Sequence, residues 1–300
     1  MILNKRTPRL GFVGAGTVAS VLALALSRQG YPVAAVSSRR LSSAEELAST
    51  VEGCMATAGG QTVTEAADLI FITTPDDAIT TVVGQIEWPP GKSVVHCSGA
   101  DTTQALAAAR ASGAAVGVFH PLQTFAGADQ AINNLPGTTF ALEAEEPLLS
   151  LLKEMAAALG GYAIELKAED KVIYHAAAVI TCNYLVTLVR QAADLWQTFG
   201  VPPEQSVQAL LPLLKGTVRN IEAVGIPGCL TGPIARGDTG TIAKHLAALE
   251  KAAPQVLATY RQLGINTIPV ALAKGSIDEE QAGRLEAVLS HPDKDIGGNL

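Results

Sequence analysis

Leu10-Gly11-Phe12-Val13-Gly14-Ala15-Gly16-Thr17-Val18-Ala19 decides the fold. The apolar run Leu10 to Val13 reads as a buried strand, Gly14-x-Gly16-x-x-Ala19 as a tight turn, and Val18 to Leu26 as the apolar opening of a helix. Gly14 permits the turn, Gly16 lets backbone N–H groups approach a pyrophosphate, and small Ala19 lets the helix pack on the strand. The helix N-terminus then presents its positive end to phosphates. Gly14, Ala15, Gly16, Thr17 and Val18 are therefore candidate cofactor contacts.

Working outward, apolar and β-branched runs recur between helical stretches at Val33 to Ser37, Leu69 to Thr73, Ser93 to His96, Val116 to Phe119, Thr138 to Leu142 and Tyr162 to Glu165. Strands this apolar have no wet face. The expected class is α/β, a Rossmann-type doubly wound and mostly parallel sheet with helices on both faces, followed by an all-α domain. The period changes near residue 165, giving a nucleotide-binding domain over 1–165, a helical substrate and dimerisation domain over 166–290, and a frayed tail over 291–300. Ala168 to Gly200 reads as one continuous helix, apolar nearly all round, which implies a buried central helix or a subunit interface. Helices are also expected over Pro203 to Val224, Thr239 to Leu263, Asn266 to Lys274 and Asp278 to Leu289.

The 300 residues are 48% hydrophobic, enough for a large core, and carry a net charge of −7 without a Lys/Arg-rich stretch. That balance argues against nucleic acid or an anionic membrane as partner and leaves a small molecule. The opening MILNKRTPRL lacks a long apolar segment, and charged or polar residues interrupt the Ala-rich helices, so a soluble cytoplasmic protein is expected. Cys54, Cys97, Cys182 and Cys229 show no C-x-x-C spacing, and no metal site is expected.

At the end of the second strand, Ser37, Ser38, Arg39 and Arg40 stand where an acidic residue would hold a ribose 2′-OH. Cations and hydroxyls suit a 2′-phosphate, so the expected cofactor is NADP(H); the plain alternative is a solvated arginine pair. Thr74 and Pro75, and Ser98 and Gly99, follow two further strands at the carboxyl edge, where open α/β sheets bind ligands. His120, held extended by Pro121, is delivered to the same edge and could exchange a proton with substrate. On the apolar helix, Lys171 and His175 share one face, with Asn183 toward its flank. With a rise of ~1.5 Å per residue, Lys171 and Asn183 stand about 18 Å apart and cannot serve one atom. His175, lying between them, is the better catalytic candidate; the plain alternative is a core histidine bonded to backbone. Thr231, Arg236 and Asp238 occupy a Gly/Pro-broken loop that serves either as a carboxylate clamp for substrate or as a connection whose Asp238 caps the next helix.

The segments GFVGAGTVA, HCSGAD, FHPLQTF, YHAAAVITCNYLVTL and LTGPIARGD, between residues 11 and 238, resemble a bacterial family in which a Rossmann-like NADP-binding domain precedes a helical domain of unknown function. That family is similar in turn to pyrroline-5-carboxylate reductase, deazaflavin-dependent NADP reductases, 3-hydroxyacid dehydrogenases and ketopantoate reductase. The resemblance implies an oxidoreductase with a C-terminal domain like that of 6-phosphogluconate dehydrogenase. In the hydroxyacid and ketopantoate enzymes the first helix of the second domain carries a catalytic Lys with Asn four or eight positions later. Here Lys171 has His175 at the fourth position, and aligning Asn183 with the later Asn places His175 where that Lys stands. The implied function is NADPH-dependent reduction of a small carbonyl, first a 2-oxo acid of the ketopantoate kind with Arg236 on its carboxylate, with His175, Lys171 or His120 as proton donor. The alternatives are reduction of a cyclic imine of the pyrroline-5-carboxylate type and a non-catalytic NADP-binding sensor or subunit. The apolar helix also suggests a homodimer.

Overall fold

In the computed structural model, which describes residues 7–127 and 132–290, the decisive stretch forms strand β1 (Leu10–Val13), the Gly14–Gly16 turn and helix α1 (Thr17–Arg28). All four residues of β1 are buried, so its period gives no wet face. The remaining strands are β2 (Val33–Ser37), β3 (Met55–Thr57), β4 (Leu69–Ile72), β5 (Ser93–His96), β6 (Ala115–Pro121), β7 (Thr139–Ala144) and β8 (Tyr162–Glu165). Among the described residues they make one sheet of eight in the order β3-β2-β1-β4-β5-β6-β7-β8. Strands β1 to β6 run parallel, with registers such as Phe12↔Phe71 and Ile72↔His96. β7 runs antiparallel to β6, and β8 follows β7 in parallel. The first six strands thus have the order of a dinucleotide-binding sheet, whose ligand edge is the carboxyl one.

Both faces are covered. On one, Phe12, Phe71, Phe119 and Phe140 form a row with centroid spacings of 5.0, 5.9 and 4.8 Å, packed with Leu22, Leu26, Leu152 and Met155 of α1 and α6 (Leu148–Ala158). Each aromatic pair contributes about 1 kcal/mol beyond its buried area. On the other face Val13, Ile70, Ile72 and Val94 pack with α3 (Gly60–Ala66) and α4 (Ile79–Gly84). Helices α2 (Leu41–Ser49) and α5 (Ala107–Ala111) complete the crossovers.

Beyond β8 a 3₁₀ turn, Ala168–Asp170, leads into α7 (Lys171–Thr181) and α8 (Asn183–Gln197). The chain divides into two compact units between Cys182 and Asn183, so α7 groups with the sheet although the period changes earlier. The second unit contains α8, α9 (Pro203–Val224), α10 (Thr239–Ala252), α11 (Leu257–Lys274) and α12 (Glu279–Ser290). Its core gathers Ile242, Leu246, Ile268, Ala271, Leu285 and Leu289.

Several expectations need correction. β3 was not expected: it is three residues long, at the sheet edge, with Met55 exposed, and so carries no alternation to read. The continuous helix over 168–200 is interrupted at Cys182, the C-terminal cap of α7. The break expected between Leu263 and Asn266 falls instead at Ala253–Val256, where Pro254 has no N–H to donate, while Gly264 lies inside α11 against Leu289. The apolar helix is not buried: Ile173 is 72% exposed, and Val172, Ile180, Tyr184 and Val186 are exposed with it. An 18-residue stretch within Ala168–Gln197 also has the length and composition of a membrane span, with a mean hydropathy of 1.7, which the scattered polar residues do not prevent. The tail over 291–300 lies outside the described residues.

Candidate active site

The cofactor edge is built at the β1–α1 turn. Gly14 has φ +111°, and a Cβ there would stand 2.7 Å from the Thr73 carbonyl and 2.9 Å from the Thr74 nitrogen. The turn is tied to both neighbouring strands: Gly14 N–H donates to the Ser37 carbonyl (2.9 Å), and the Thr73 hydroxyl donates to the Gly14 carbonyl (2.9 Å). Gly16 is the exposed N-cap of α1, with open space where a Cβ would be, no side-chain cap and no acid in the first turn. Ala15 and Val18 pack on the core beneath it, and Thr17 opens the helix. Beside the turn, the Thr74 hydroxyl is buried with no partner among the described residues, and Pro75 is exposed. At the end of β2, Ser37 is buried, Ser38 is half-buried, and Arg39 and Arg40 are exposed. Among the described residues neither arginine forms an ion pair. Free helix amides, an orphaned hydroxyl and two uncommitted cations fit a phosphorylated dinucleotide.

The second part of the site lies at the carboxyl ends of β5 and β6. His96, fully buried, accepts from Ser98 N–H at Nδ1 (3.1 Å) and donates from Nε2 to the Thr102 carbonyl (3.1 Å), and burial lowers its pKa. The Ser98 hydroxyl donates to Asp76 (2.8 Å) and accepts from Asp101 N–H (3.0 Å). The Ser98–Gly99 segment is thus held from several sides.

Onto it folds one face of α7. Lys171, Tyr174 and His175 stand at i, i+3 and i+4 and so project together. Lys171 is 2% exposed and donates from Nζ to the Ser98 carbonyl (3.3 Å); burial brings its pKa down to about 8 against the raising pull of Glu143, Asp101 and Asp76. Tyr174 Oη lies 2.8 Å from His120 Nδ1, with the rings edge to face. A Cβ on Gly99 would lie 2.5 Å from His175 Nδ1 and 2.9 Å from His120 Nε2, so only glycine lets both imidazoles close on this loop. His175 Nδ1 is buried and has no partner among the described residues. Burial, with Lys171, His175 and His96 nearby, pushes His120 down to about 4, so it is neutral near pH 7.

Ser98, Gly99, His120, Lys171 and His175 therefore meet in the first compact unit. Asn183, Thr231, Arg236 and Asp238 belong to the second, where Asn183, Thr231 and Arg236 are exposed. Asp238 caps α10, its carboxylate accepting from Thr241 N–H (2.9 Å) and the Thr241 hydroxyl (2.6 Å). Sequence reasoning assigned no role to His96, Asp76 or Tyr174. The first two act through a fold of the loop that spacing does not show, and Tyr174 had a signal only in its i+3 position from Lys171.

Residues 9–99 match the family described as NADP oxidoreductase, coenzyme F420-dependent, and residues 138–267 match a domain of unknown function, DUF2520. A Bacteroides fragilis protein described as an NADP oxidoreductase is 26% identical, with TM-score 0.70 over 90% of this chain and 98% of its own. A reductive aminase of Aspergillus terreus, in complex with NADPH and ethyl-5-oxohexanoate, has TM-score 0.60 at 17% identity over 94% and 92%. A 1-pyrroline-5-carboxylate reductase of Streptococcus pyogenes has TM-score 0.60 at 15% identity over 93% and 98%. No curated protein matches. The chain is thus similar to an NADP-oxidoreductase Rossmann domain over residues 9–99, to DUF2520 over residues 138–267, and to a solved NADP oxidoreductase over nearly its whole length.

Proposed function

We propose that the protein reduces a small C=O or C=N substrate with NADPH, at the carboxyl ends of β5 and β6. The observation that carries this reading is the convergence of Lys171, Tyr174 and His175 on Ser98–Gly99 and His120, on the sheet edge that holds the dinucleotide turn. Bound NADPH supplies the hydride; the chain supplies position, charge and a proton. Gly14 to Val18 hold the pyrophosphate, Thr74, Pro75, Ser98 and Gly99 line the path of the nicotinamide half, and Ser37 to Arg40 hold the 2′-phosphate. His175 protonates the oxygen or nitrogen that receives charge, and the Lys171 ammonium keeps the local potential positive as that charge grows. Arg236 of the second unit is our candidate for a substrate carboxylate, which makes a 2-oxo acid of the ketopantoate kind the first substrate to test; Asn183 and Thr231 are the other polar candidates there, while Asp238 is committed to its cap. We place the enzyme in the cytoplasm.

The 2′-phosphate role has a direct test. Arg39→Asp is expected to weaken NADPH binding about 10- to 100-fold and to leave NADH nearly unchanged, since only the former offers a charge for the guanidinium. Equal weakening in a fluorescence titration would remove Arg39 from the cofactor site.

Lys171 sets an alkaline limb. Its lowered pKa means the ammonium is held below pH about 8 and lost above it, so kcat/KM should fall about tenfold per pH unit past that point. The limb should vanish in Lys171→Met, at a lower plateau. His120, neutral above about 4, should add no acid limb near neutrality.

We also propose a homodimer. Val172, Ile173 and Ile180 of α7 in the first unit, and Tyr184, Val186, Leu213 and Val224 of α8 and α9 in the second, are large apolar side chains exposed in the single chain that a second copy would cover. Light scattering at micromolar concentration should give twice the 30.9 kDa chain mass, and a monomer would contradict this.

A further inference from the structure

The Tyr174–His120 contact bears on what the substrate must be. Tyr174 Oη and His120 Nδ1 are 2.8 Å apart, and either group could donate. Burial raises the Tyr174 pKa to about 12, so the phenol keeps its proton, and among the described residues His120 is its only hydrogen-bond partner. Were the imidazole the donor, the phenolic proton of this half-buried tyrosine would find no acceptor among the described residues and would be left to solvent. With the phenol donating, Nδ1 is the acceptor, and the one proton of the neutral imidazole must sit on Nε2. Among the described residues that nitrogen has no partner, yet it is not one of their buried unpartnered atoms, which are Thr74 Oγ1, Glu143 Oε2 and His175 Nδ1; it keeps an open side next to Gly99.

We infer that Tyr174 is a positioning residue that fixes His120 as a neutral Nε2–H donor beside Gly99, so that the site takes a substrate atom that accepts a hydrogen bond, a carbonyl oxygen, in preference to the N–H of a protonated imine. The inference rests on the reductase reading above and narrows it. A neutral imidazole N–H polarises a carbonyl without giving up its proton, which leaves protonation to His175. A protonated imine would bring its own N–H against the His120 donor, and two donors facing one another repel.

Two readouts test this separately. In full-length protein labelled with nitrogen-15 histidine and saturated with NADPH, long-range proton–nitrogen spectra should show His120 protonated on Nε2, and Tyr174→Phe should convert it to a mixture of tautomers. The same variant should lose about three- to tenfold in turnover with unchanged NADPH affinity. A proton on Nδ1 in the parent protein, or an unchanged tautomer in Tyr174→Phe, overturns the assignment. For the substrate class, NADPH oxidation is compared between pyruvate or 2-oxobutanoate and 1-pyrroline-2-carboxylate, at acid pH where the imine is protonated. Faster reduction of the imine overturns the preference; faster reduction of an oxo acid supports it. Silence with these compounds and with a wider panel, the Nε2–H tautomer standing, overturns the reductase reading and with it the carbonyl preference, but not the Tyr174–His120 assignment.

Discussion

His175→Ala should lower turnover about 10²- to 10⁴-fold while NADPH affinity stays nearly unchanged, the range expected when a positioned proton donor is removed. The side chain sits at the Gly99 loop and contributes nothing to the β1–α1 turn, so the pyrophosphate contacts stay in place when it is removed. Among the described residues the His175 ring makes no hydrogen bond, its buried Nδ1 included, so truncation orphans none of their polar groups, and the fold should survive. Single-turnover measurement with NADPH in excess would show the loss in the chemical step. Unchanged turnover would return His175 to a packing role.

Gly14→Ala should weaken NADPH about a hundredfold or more and lower stability by about 2–4 kcal/mol. Two costs add. At φ +111° an L side chain is strained, and the new Cβ would meet backbone atoms of Thr73 and Thr74 at 2.7 to 2.9 Å, which cannot swing aside as a side-chain tip would. Relief means shifting the turn off β4, away from the Thr73 hydroxyl that braces it, and carrying the α1 amides with it. Titration with NADPH beside a denaturant melt checks both effects. Gly16→Ala, with open space at its Cβ position, should cost less in stability than in cofactor affinity.

The Rossmann half is legible because its signals are local. Leu10 to Ala19 holds strand, turn and helix start within one short window, and the later strands repeat the same apolar runs. The short edge strand β3 and the reversal at β7 leave no such mark, since direction is set by partners rather than by composition. Hydrophobicity also does not say what covers a helix. Ile173 and Val186 have the composition of a core and face solvent in the single chain. At the site, Lys171 and His175 could be paired by helical spacing, and His120 could be placed on the ligand edge by its strand. That His120 would meet Tyr174 across 54 positions, or that His96 would pin Ser98, depends on where α7 folds back and how the loop after β5 turns. Those are long-range packing outcomes.

The activity proposed for this chain is transfer of hydride from NADPH to a small unsaturated carbon. It is tested most directly by following loss of NADPH absorbance with purified protein against a panel of small 2-oxo acids, 3-oxo acids and cyclic imines, with NADH in parallel. NADPH should be oxidised in preference to NADH by one class of substrate, and far more slowly in His175→Ala. Tight NADPH binding with no oxidation across the panel would contradict it and make the protein a binder of the cofactor rather than its user.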